Sequence, residues 1–166
     1  MSQPQSILVT GGAGHIGQAV AETLLELGAK VAILDVDLET CREGIAALSG
    51  DADANTIAVA CDLRDEKSTR QAVQETVSNL GSLDILVHCA AFVGTTQMPG
   101  WGVPFDQQTT EAWDTAMRVN LTSAFVMVQE ARKSLASSGH GSVIFFGSTY
   151  GLVGPDMGLY EGTEMA

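Results

Sequence analysis

The sequence is short of basic residues. Lys and Arg total 8 against 20 Asp and Glu, which gives a net charge of −12 over 166 residues. A chain with this charge repels nucleic acid, anionic membrane surfaces and other polyanions, so we expect none of them as a partner. A single bound anion is compatible with it, because backbone amides at the start of a helix can hold an anion without Lys or Arg.

Long apolar runs are also missing. The N-terminus, MSQPQSILVTGG, has no basic region followed by a long apolar stretch, and no later segment approaches the length that a membrane span needs. The sequence therefore predicts a cytoplasmic protein. With 45% apolar residues, residues 1–166 are expected to form one globular domain.

Cysteine is scarce. Cys41, Cys61 and Cys89 are odd in number, widely spaced and without a Cys-x-x-Cys pair, which argues against a disulfide framework or a zinc site. No metal site is predicted, and Cys41 and Cys61 are interpreted as small apolar core residues.

Short apolar runs alternate with amphipathic stretches along the chain. Strands are predicted at 6–10, 30–35, 56–61, 83–88 and 142–147, and helices at 15–28, 38–48, 66–80, around Trp113 and at 121–136. Runs such as VAIL and VIFF lack polar alternation, which is typical of parallel strands covered on both faces. The predicted fold class is α/β, a doubly wound parallel sheet of the Rossmann type with strand order 3-2-1-4-5. A ligand crevice is expected at the carboxyl ends of the first and fourth strands.

A glycine-rich motif, TGGAGHIG, follows the first strand directly, and the next helix begins at once. Glycines at such a turn let the backbone approach a pyrophosphate, and the helix N-terminus supplies amide donors. The motif therefore predicts a dinucleotide site. The predicted cofactor-binding residues of this loop are Gly11, Gly14, His15, Ile16 and Gly17.

Asp35 ends the second strand, eighteen residues after Gly17. A carboxylate there accepts hydrogen bonds from both hydroxyls of the adenosine ribose and repels a 2′-phosphate, and no Arg or Lys lies between Lys30 and Arg42 to offset this. NAD is therefore predicted in preference to NADP. The alternative is that Asp35 caps the following helix, a role that Asp37 could also fill.

Two later strand ends complete the predicted cofactor site. Asp62 and Leu63 follow the third strand, where Asp62 is predicted either to accept a hydrogen bond from the adenine amino group or to cap the next helix. The fourth strand ends in HCAA, whose small residues Ala90 and Ala91 would let the backbone pass close to the cofactor. His88 is interpreted as a packed histidine at a strand end, with a role as a base as the alternative.

These motifs resemble those of the short-chain dehydrogenase/reductase family, over essentially the whole chain. TGGAGHIG resembles the family's cofactor loop, HCAA stands where the family usually has Asn-Asn-Ala-Gly, VNLT contains the family's Asn at Asn120, and FFGSTYG contains its catalytic Ser at Ser148. The resemblance implies that Asn120 holds a water in a proton relay and that Ser148 donates a hydrogen bond to the substrate oxygen. It also implies hydride transfer between nicotinamide and a secondary alcohol or carbonyl of a small, sugar-like substrate.

Two branches of the family resemble different features of the chain. The glycine spacing of the loop and the HCAA motif also resemble the extended branch of sugar-nucleotide epimerases and dehydratases. MRVNLTSAFVMVQEARKSL and the Ser148 region resemble the shorter dehydrogenase branch, which we prefer.

The family's Tyr-x-x-x-Lys pair is missing from these residues. Tyr160 stands at a suitable distance from Ser148, but the fourth residue after it is Glu164, which would raise the pKa of the tyrosine, and no Lys follows Lys133. GPDMGLYEGTEMA resembles a loop that precedes the catalytic helix in family members associated with glycan or surface-sugar biosynthesis. We therefore expect a truncated and inactive chain that lacks the C-terminal strands. The alternative is a catalytically dead NAD-binding module.

The expected absence of the C-terminal strands also affects the predicted stability and assembly. The fifth strand, SVIFF, has no polar alternation, which predicts that both of its faces are buried and that another strand pairs with its outer edge. In the family, dimers commonly pack through the helix that carries Asn120, so a homo-oligomer is an expectation. We also expect marginal stability and self-association.

Overall fold

A five-stranded parallel sheet forms the centre of the structure, a computed structural model that describes residues 4–48, 54–93 and 97–162. The strand order is β3-β2-β1-β4-β5, so the predicted α/β fold and strand order are confirmed. Glu164 lies outside the described residues. The strands are β1 (Ser6–Thr10), β2 (Lys30–Asp35), β3 (Thr56–Ala60), β4 (Ile85–His88) and β5 (Ser142–Phe145).

Helices cover both faces of the sheet. They are α1 (His15–Glu26), α2 (Leu38–Ala46), α3 (Glu66–Leu80), α4 (Thr110–Met117) and α5 (Ser123–Ser137). The helices predicted around Trp113 and at 121–136 are both present as α4 and α5, and a π-helical turn, Arg118–Thr122, joins them. The backbone at both ends of this turn stays in the right-handed helical region. The connecting sequence RVNLT contains no Gly or Pro that would end a helix.

Acidic caps begin two of the helices. The side chain of Asp37 accepts a hydrogen bond from the Thr40 amide at the start of α2, and that of Asp65 accepts one from the Ser68 amide at the start of α3. These caps decide two roles that the sequence left open. Asp35 does not cap α2, and the interpretation of Asp62 as the cap of α3 is wrong, because Asp65 fills that position.

The core lies on both sides of the sheet, since alternate residues of each central strand point to opposite faces. On one side Leu8, Leu34 and Leu86 pack with residues of α3 and α5, among them Met127 and Ala131. On the other side Ile7, Val9, Val31 and Ile33 pack with Ala21 of α1 and Cys41 of α2. The central strands are thus buried on both faces, which explains their lack of polar alternation.

Cys41 and Cys61 are buried, as predicted, and burial raises the pKa of both thiols. Within residues 4–48, 54–93 and 97–162, no helix is long and apolar enough to cross a membrane. In the same ranges no three His, Cys, Asp or Glu side chains are grouped so that they could hold a metal ion.

The strand β5 forms one end of the sheet, paired only with β4 among the described strands. Its residues Ile144 and Phe145, and Phe146 after it, are about half exposed. On the neighbouring helical segment Leu121 and Phe125 are also exposed. This part of the molecule therefore presents a large apolar surface.

Candidate cofactor and catalytic site

A cavity of about 620 Å³ opens where the central strands end, at the edge of the sheet where the sequence predicts a crevice. Its walls are the loop between β1 and α1 and the segments that follow β2, β3 and β4. All ten residues predicted to bind the cofactor line it, namely Gly11, Gly14, His15, Ile16, Gly17, Asp35, Asp62, Leu63, Ala90 and Ala91. We call it the cofactor cavity.

The glycine loop is packed so closely that side chains are excluded at two positions. A Cβ on Gly17 would lie 2.1 Å from the carbonyl oxygen of Gly11, and a Cβ on Gly11 would lie 2.8 Å from the backbone of Ala90. Gly11 also has a positive φ of 60°. The N-cap of α1 is Gly14, which has no side chain to bond the first amides of the helix. A concave backbone surface with a helix N-terminus beside it suits the pyrophosphate of a dinucleotide.

Asp35 forms the cavity wall at the end of β2. One carboxylate oxygen accepts a hydrogen bond from the backbone amide of Ala13 at 3.2 Å, and the other accepts one from Val36 at 2.9 Å. The carboxylate is therefore tied to the glycine loop, twenty-two residues earlier in the chain. Each oxygen keeps a lone pair for another donor.

Asp62 is paired with Arg64, a residue that the sequence analysis missed. The Arg64 guanidinium donates to both carboxylate oxygens, at 2.7 Å at the shortest, and Arg64 also lines the cofactor cavity. This hydrogen bonding is the main cause that lowers the pKa of the Asp62 carboxyl. The sequence analysis looked for basic residues only between Lys30 and Arg42. The position of Arg64, two residues after Asp62, is the signal that could have found it.

Thr10, His88 and Ala90 form a hydrogen-bonded group at the ends of β1 and β4. The Thr10 hydroxyl accepts a hydrogen bond from the Ala90 amide at 3.2 Å and bonds Nδ1 of His88 at 2.9 Å. His88 is only 5% exposed, in agreement with the packed histidine that the sequence predicts. Burial lowers the pKa of the imidazole, and the backbone of Val119 opposes this effect.

A second cavity, of about 730 Å³, adjoins the first and shares Ile16 and the segment 89–93 with it. Asn120 and Ser148, the two predicted catalytic residues, both line it. We call it the catalytic cavity. Sequence reasoning missed its apolar lining, which includes Phe92, Leu121, Phe125, Phe145 and Phe146.

Asn120 lies in the π-helical turn and bonds the backbone of Phe92 in both directions. Its Oδ1 accepts a hydrogen bond from the Phe92 amide at 2.6 Å, and its Nδ2 donates to the Phe92 carbonyl at 3.0 Å. The side chain thus anchors the loop after β4, which forms the boundary between the two cavities. π-Helical turns are often found at functional sites.

Ser148 is exposed and begins a short 3-10 helix, Thr149–Gly151, where its Oγ accepts a hydrogen bond from the Tyr150 amide at 3.1 Å. The Tyr150 hydroxyl is hydrogen-bonded to the Tyr160 hydroxyl. This bond is the main cause that raises the pKa of Tyr160. The neutral phenol is therefore favoured, and among the described residues Tyr150 is the cause; the Glu164 considered in the sequence analysis lies outside them.

Comparison with known proteins gives a consistent result. Residues 5–163 match the family model of the short chain dehydrogenases. The chain is 31% identical over 149 residues to D-threitol dehydrogenase of Mycolicibacterium smegmatis, a match over 90% of this chain and 54% of that protein. It is 32% identical over 164 residues to sorbitol dehydrogenase of Cereibacter sphaeroides, over 98% of this chain and 60% of that protein.

The fold is also similar to a solved structure with a cofactor bound. A blue fluorescent protein from a metagenomic library, crystallised in complex with NADPH, superimposes with a TM-score of 0.75 and 28% identity. That match covers 90% of this chain and 57% of the other. The chain thus spans a little over half the length of the proteins that it resembles.

Proposed function

The chain belongs to the short-chain dehydrogenase/reductase family, and from this premise we propose that it binds NAD in the cofactor cavity as part of an oxidoreductase. The observation that carries the proposal is the meeting of the glycine loop, Asp35 and Asp62 in one cavity. The bound nicotinamide would supply the hydride acceptor or donor for a secondary alcohol or carbonyl carbon.

The glycine loop would hold the pyrophosphate. The missing side chains at Gly11 and Gly17 leave room for close approach, and a Cβ at either position would meet backbone atoms within 3 Å. The first turn of α1 then offers amide donors and the positive end of the helix dipole. This arrangement compensates for the acidic character of the chain, since it needs no Lys or Arg.

Asp35 is the basis for proposing NAD in preference to NADP. The backbone amides of Ala13 and Val36 orient its two oxygens, which can still accept hydrogen bonds from both ribose hydroxyls. A 2′-phosphate at the same place would be repelled. Arg64 would not offset this repulsion, because its guanidinium is held by Asp62. The relative with bound NADPH makes a direct measurement necessary.

Asn120 and Ser148 would serve the catalytic side. Ser148, at the wall of the catalytic cavity, would donate its hydroxyl proton to the substrate oxygen. Asn120 would keep the loop at Phe92 in place. No Tyr-x-x-x-Lys pair occurs in these 166 residues, so we propose that the two residues alone do not support turnover.

A polyol or sugar-like alcohol is the proposed substrate class. Two of the relatives named above are dehydrogenases of D-threitol and sorbitol, which are polyols. The same relatives and the matching family model favour the shorter dehydrogenase branch over the extended branch of epimerases and dehydratases. The second candidate function is an NAD-binding module without catalysis, which is favoured by Glu164 at the place where the family's pair has Lys.

Titration of the purified chain with NADH and NADPH, followed by the change in nicotinamide fluorescence, tests the proposal. We expect binding of both, with higher affinity for NADH. Equal affinities would overturn the assignment of Asp35 to the ribose, and no binding of either would overturn the cofactor proposal.

A turnover assay with NAD and either D-threitol or sorbitol tests the catalytic part. We expect no NADH formation by the wild-type chain or by Tyr160→Phe. Turnover that Tyr160→Phe abolishes would instead identify Tyr160 as the acid–base residue, and the second candidate function would then be excluded.

A further inference from the structure

His88 is a buried imidazole with two unequal nitrogens. Nδ1 bonds the Thr10 hydroxyl at 2.9 Å, whereas Nε2 is buried and has no hydrogen-bond partner among the described residues. The backbone of Val119 raises the pKa of the ring, but it forms no hydrogen bond with Nε2. The ring also lies edge-on to Phe145, with the ring centres 6.1 Å apart. A buried polar atom without a hydrogen bond costs free energy, so Nε2 of His88 calls for an explanation.

The hydrogen bonds of Thr10 determine where the imidazole proton lies. The Thr10 oxygen has two lone pairs and one proton, and one lone pair already accepts from the Ala90 amide. If Nδ1 carried the proton, both lone pairs would be used, and the Thr10 hydroxyl proton would need a further acceptor. The structure shows none among the described residues for this fully buried side chain. The arrangement that satisfies Thr10 has its hydroxyl donating to an unprotonated Nδ1.

We propose that His88 is a positioning residue, a neutral imidazole protonated at Nε2, whose Nδ1 accepts from Thr10 and so turns the Thr10 oxygen toward the Ala90 amide. Ala90 lines both the cofactor cavity and the catalytic cavity. The hydrogen bonds run in one direction, from the Ala90 N–H to the Thr10 oxygen and from the Thr10 O–H to the His88 ring. Each bond in such a chain polarises and strengthens the next.

The consequence concerns the shape of the cofactor cavity, and it rests on the proposed function. The backbone at Ala90 is the surface against which the positive-φ turn at Gly11 packs, with only 2.8 Å between a Cβ at Gly11 and the Ala90 amide nitrogen. A small movement of Ala90 would therefore change the glycine loop as well. His88 would act on this wall through Thr10, because His88 lines the catalytic cavity and does not line the cofactor cavity.

Heteronuclear NMR of the ligand-free wild-type chain at pH 7.5 tests the tautomer directly. The protonated and unprotonated nitrogens of a neutral imidazole differ widely in ¹⁵N chemical shift. We expect the His88 proton on Nε2 and a free Nδ1. A proton on Nδ1 would overturn the proposal, whatever the outcome of the cofactor measurements.

Variants test the coupling to the cavity. His88→Phe keeps the ring but removes the acceptor, so we expect the Ala90 amide resonance to move and the Kd for NADH to rise about tenfold. Thr10→Val should have the same effect, and the double variant should be no worse than Thr10→Val alone, because both changes break one chain of hydrogen bonds. Thr10→Ser retains the hydroxyl, so the Ala90 amide resonance and the Kd for NADH should stay at their wild-type values.

Thr76→Val is the matched control. Thr76 is also fully buried, but its hydroxyl donates to the Ala72 carbonyl within α3, and the Kd for NADH should not change. If His88→Phe leaves both the Ala90 resonance and the Kd unchanged, the proposal is wrong. If the wild-type chain does not bind NADH, the proposed function fails, and the tautomer and the Ala90 resonance still decide the role of His88.

Discussion

Asn120 and Phe92, twenty-eight residues apart in the chain, pair through two hydrogen bonds of opposite direction. The carboxamide is suited to this arrangement, because it presents an acceptor to the Phe92 amide and a donor to the Phe92 carbonyl. The pair connects the π-helical turn between α4 and α5 to the loop after β4. It therefore couples the predicted catalytic Asn to the boundary between the two cavities.

The pairing predicts a graded response to substitution at Asn120. Asn120→Asp keeps an acceptor for the Phe92 amide but places a carboxylate oxygen against the Phe92 carbonyl, so it should destabilise the chain at least as much as Asn120→Ala. Because the bonds are at an exposed site, we expect a loss of about 1 kcal/mol in the free energy of unfolding. Urea denaturation measures it, with Asn79→Ala on the surface of α3 as the control. Wild-type stability in Asn120→Asp would contradict the two-way pairing.

Gly17→Ala should abolish NADH binding. The added Cβ would lie 2.1 Å from the Gly11 carbonyl oxygen, so the glycine loop must move. We expect a loss of about 1–3 kcal/mol in stability as well, the usual cost of overpacking. Calorimetric titration and urea denaturation check both effects. Gly154→Ala is the control, because no heavy atom lies within 4 Å of its added Cβ and its φ is not positive. Full NADH affinity in Gly17→Ala would show that the loop does not contact the cofactor.

Cofactor preference should reverse when the charge at the end of β2 is changed. Asp35→Ser combined with Val36→Arg removes the carboxylate and adds a guanidinium at an exposed position of the cavity wall. The NADPH affinity should rise and the NADH affinity fall, each by about tenfold. Parallel titrations with both nucleotides measure the ratio. Asp37→Ser is the control, since it removes a nearby charge, keeps a side chain that can cap α2, and should leave the ratio unchanged.

The stability should depend on pH through His88. Burial lowers the pKa of this imidazole in the folded chain, whereas in the unfolded chain its pKa is about 6.5. The unfolded state therefore binds more protons than the folded state between the two pKa values. As the pH decreases through this range, the free energy of unfolding falls by up to about 1.4 kcal/mol per pH unit. The pKa values of Asp37 and Asp62 are lowered and lie below this range.

Urea denaturation between pH 7.5 and pH 5.5 measures this dependence. His88→Gln should remove most of the slope even if the variant is less stable throughout. A slope that persists unchanged in His88→Gln would assign the pH dependence to other groups.

The exposed apolar face of the long helical run should make the chain self-associate. Trp113, Leu121 and Phe125 are spaced by four or eight residues and are 59–64% exposed, and the half-exposed β5 lies in the same part of the fold. Burial of this surface against another molecule is favourable. Sedimentation velocity should show association of the wild-type chain and less of it in Phe125→Glu. Leu27→Glu, at an exposed leucine after α1, should not change it.

The strand order and the residues that line the cofactor cavity could be predicted from the sequence because their signals are local. Each central strand is a continuous apolar run, and each functional segment follows such a run directly. Carboxyl ends of parallel strands meet at one edge of the sheet, so the topology alone brings Gly11, Asp35, Asp62 and Ala90 to the same cavity. Local signals fail where two candidates stand close together. Asp62 and Asp65 are the same residue type three residues apart, and the structure shows that Asp65 is the cap of α3.

Only the tertiary structure decided which side chains pair. Thr10 with His88 and Asn120 with Phe92 join segments 78 and 28 residues apart, and no periodicity in the sequence encodes such contacts. The π-helical turn between α4 and α5 is also a tertiary feature, since Asn120 within it bonds the loop after β4. The residue types at the strand ends thus determined which kinds of hydrogen bond are available there. Which partner each polar side chain bonds depended on the groups that the folded sheet brings within hydrogen-bond distance.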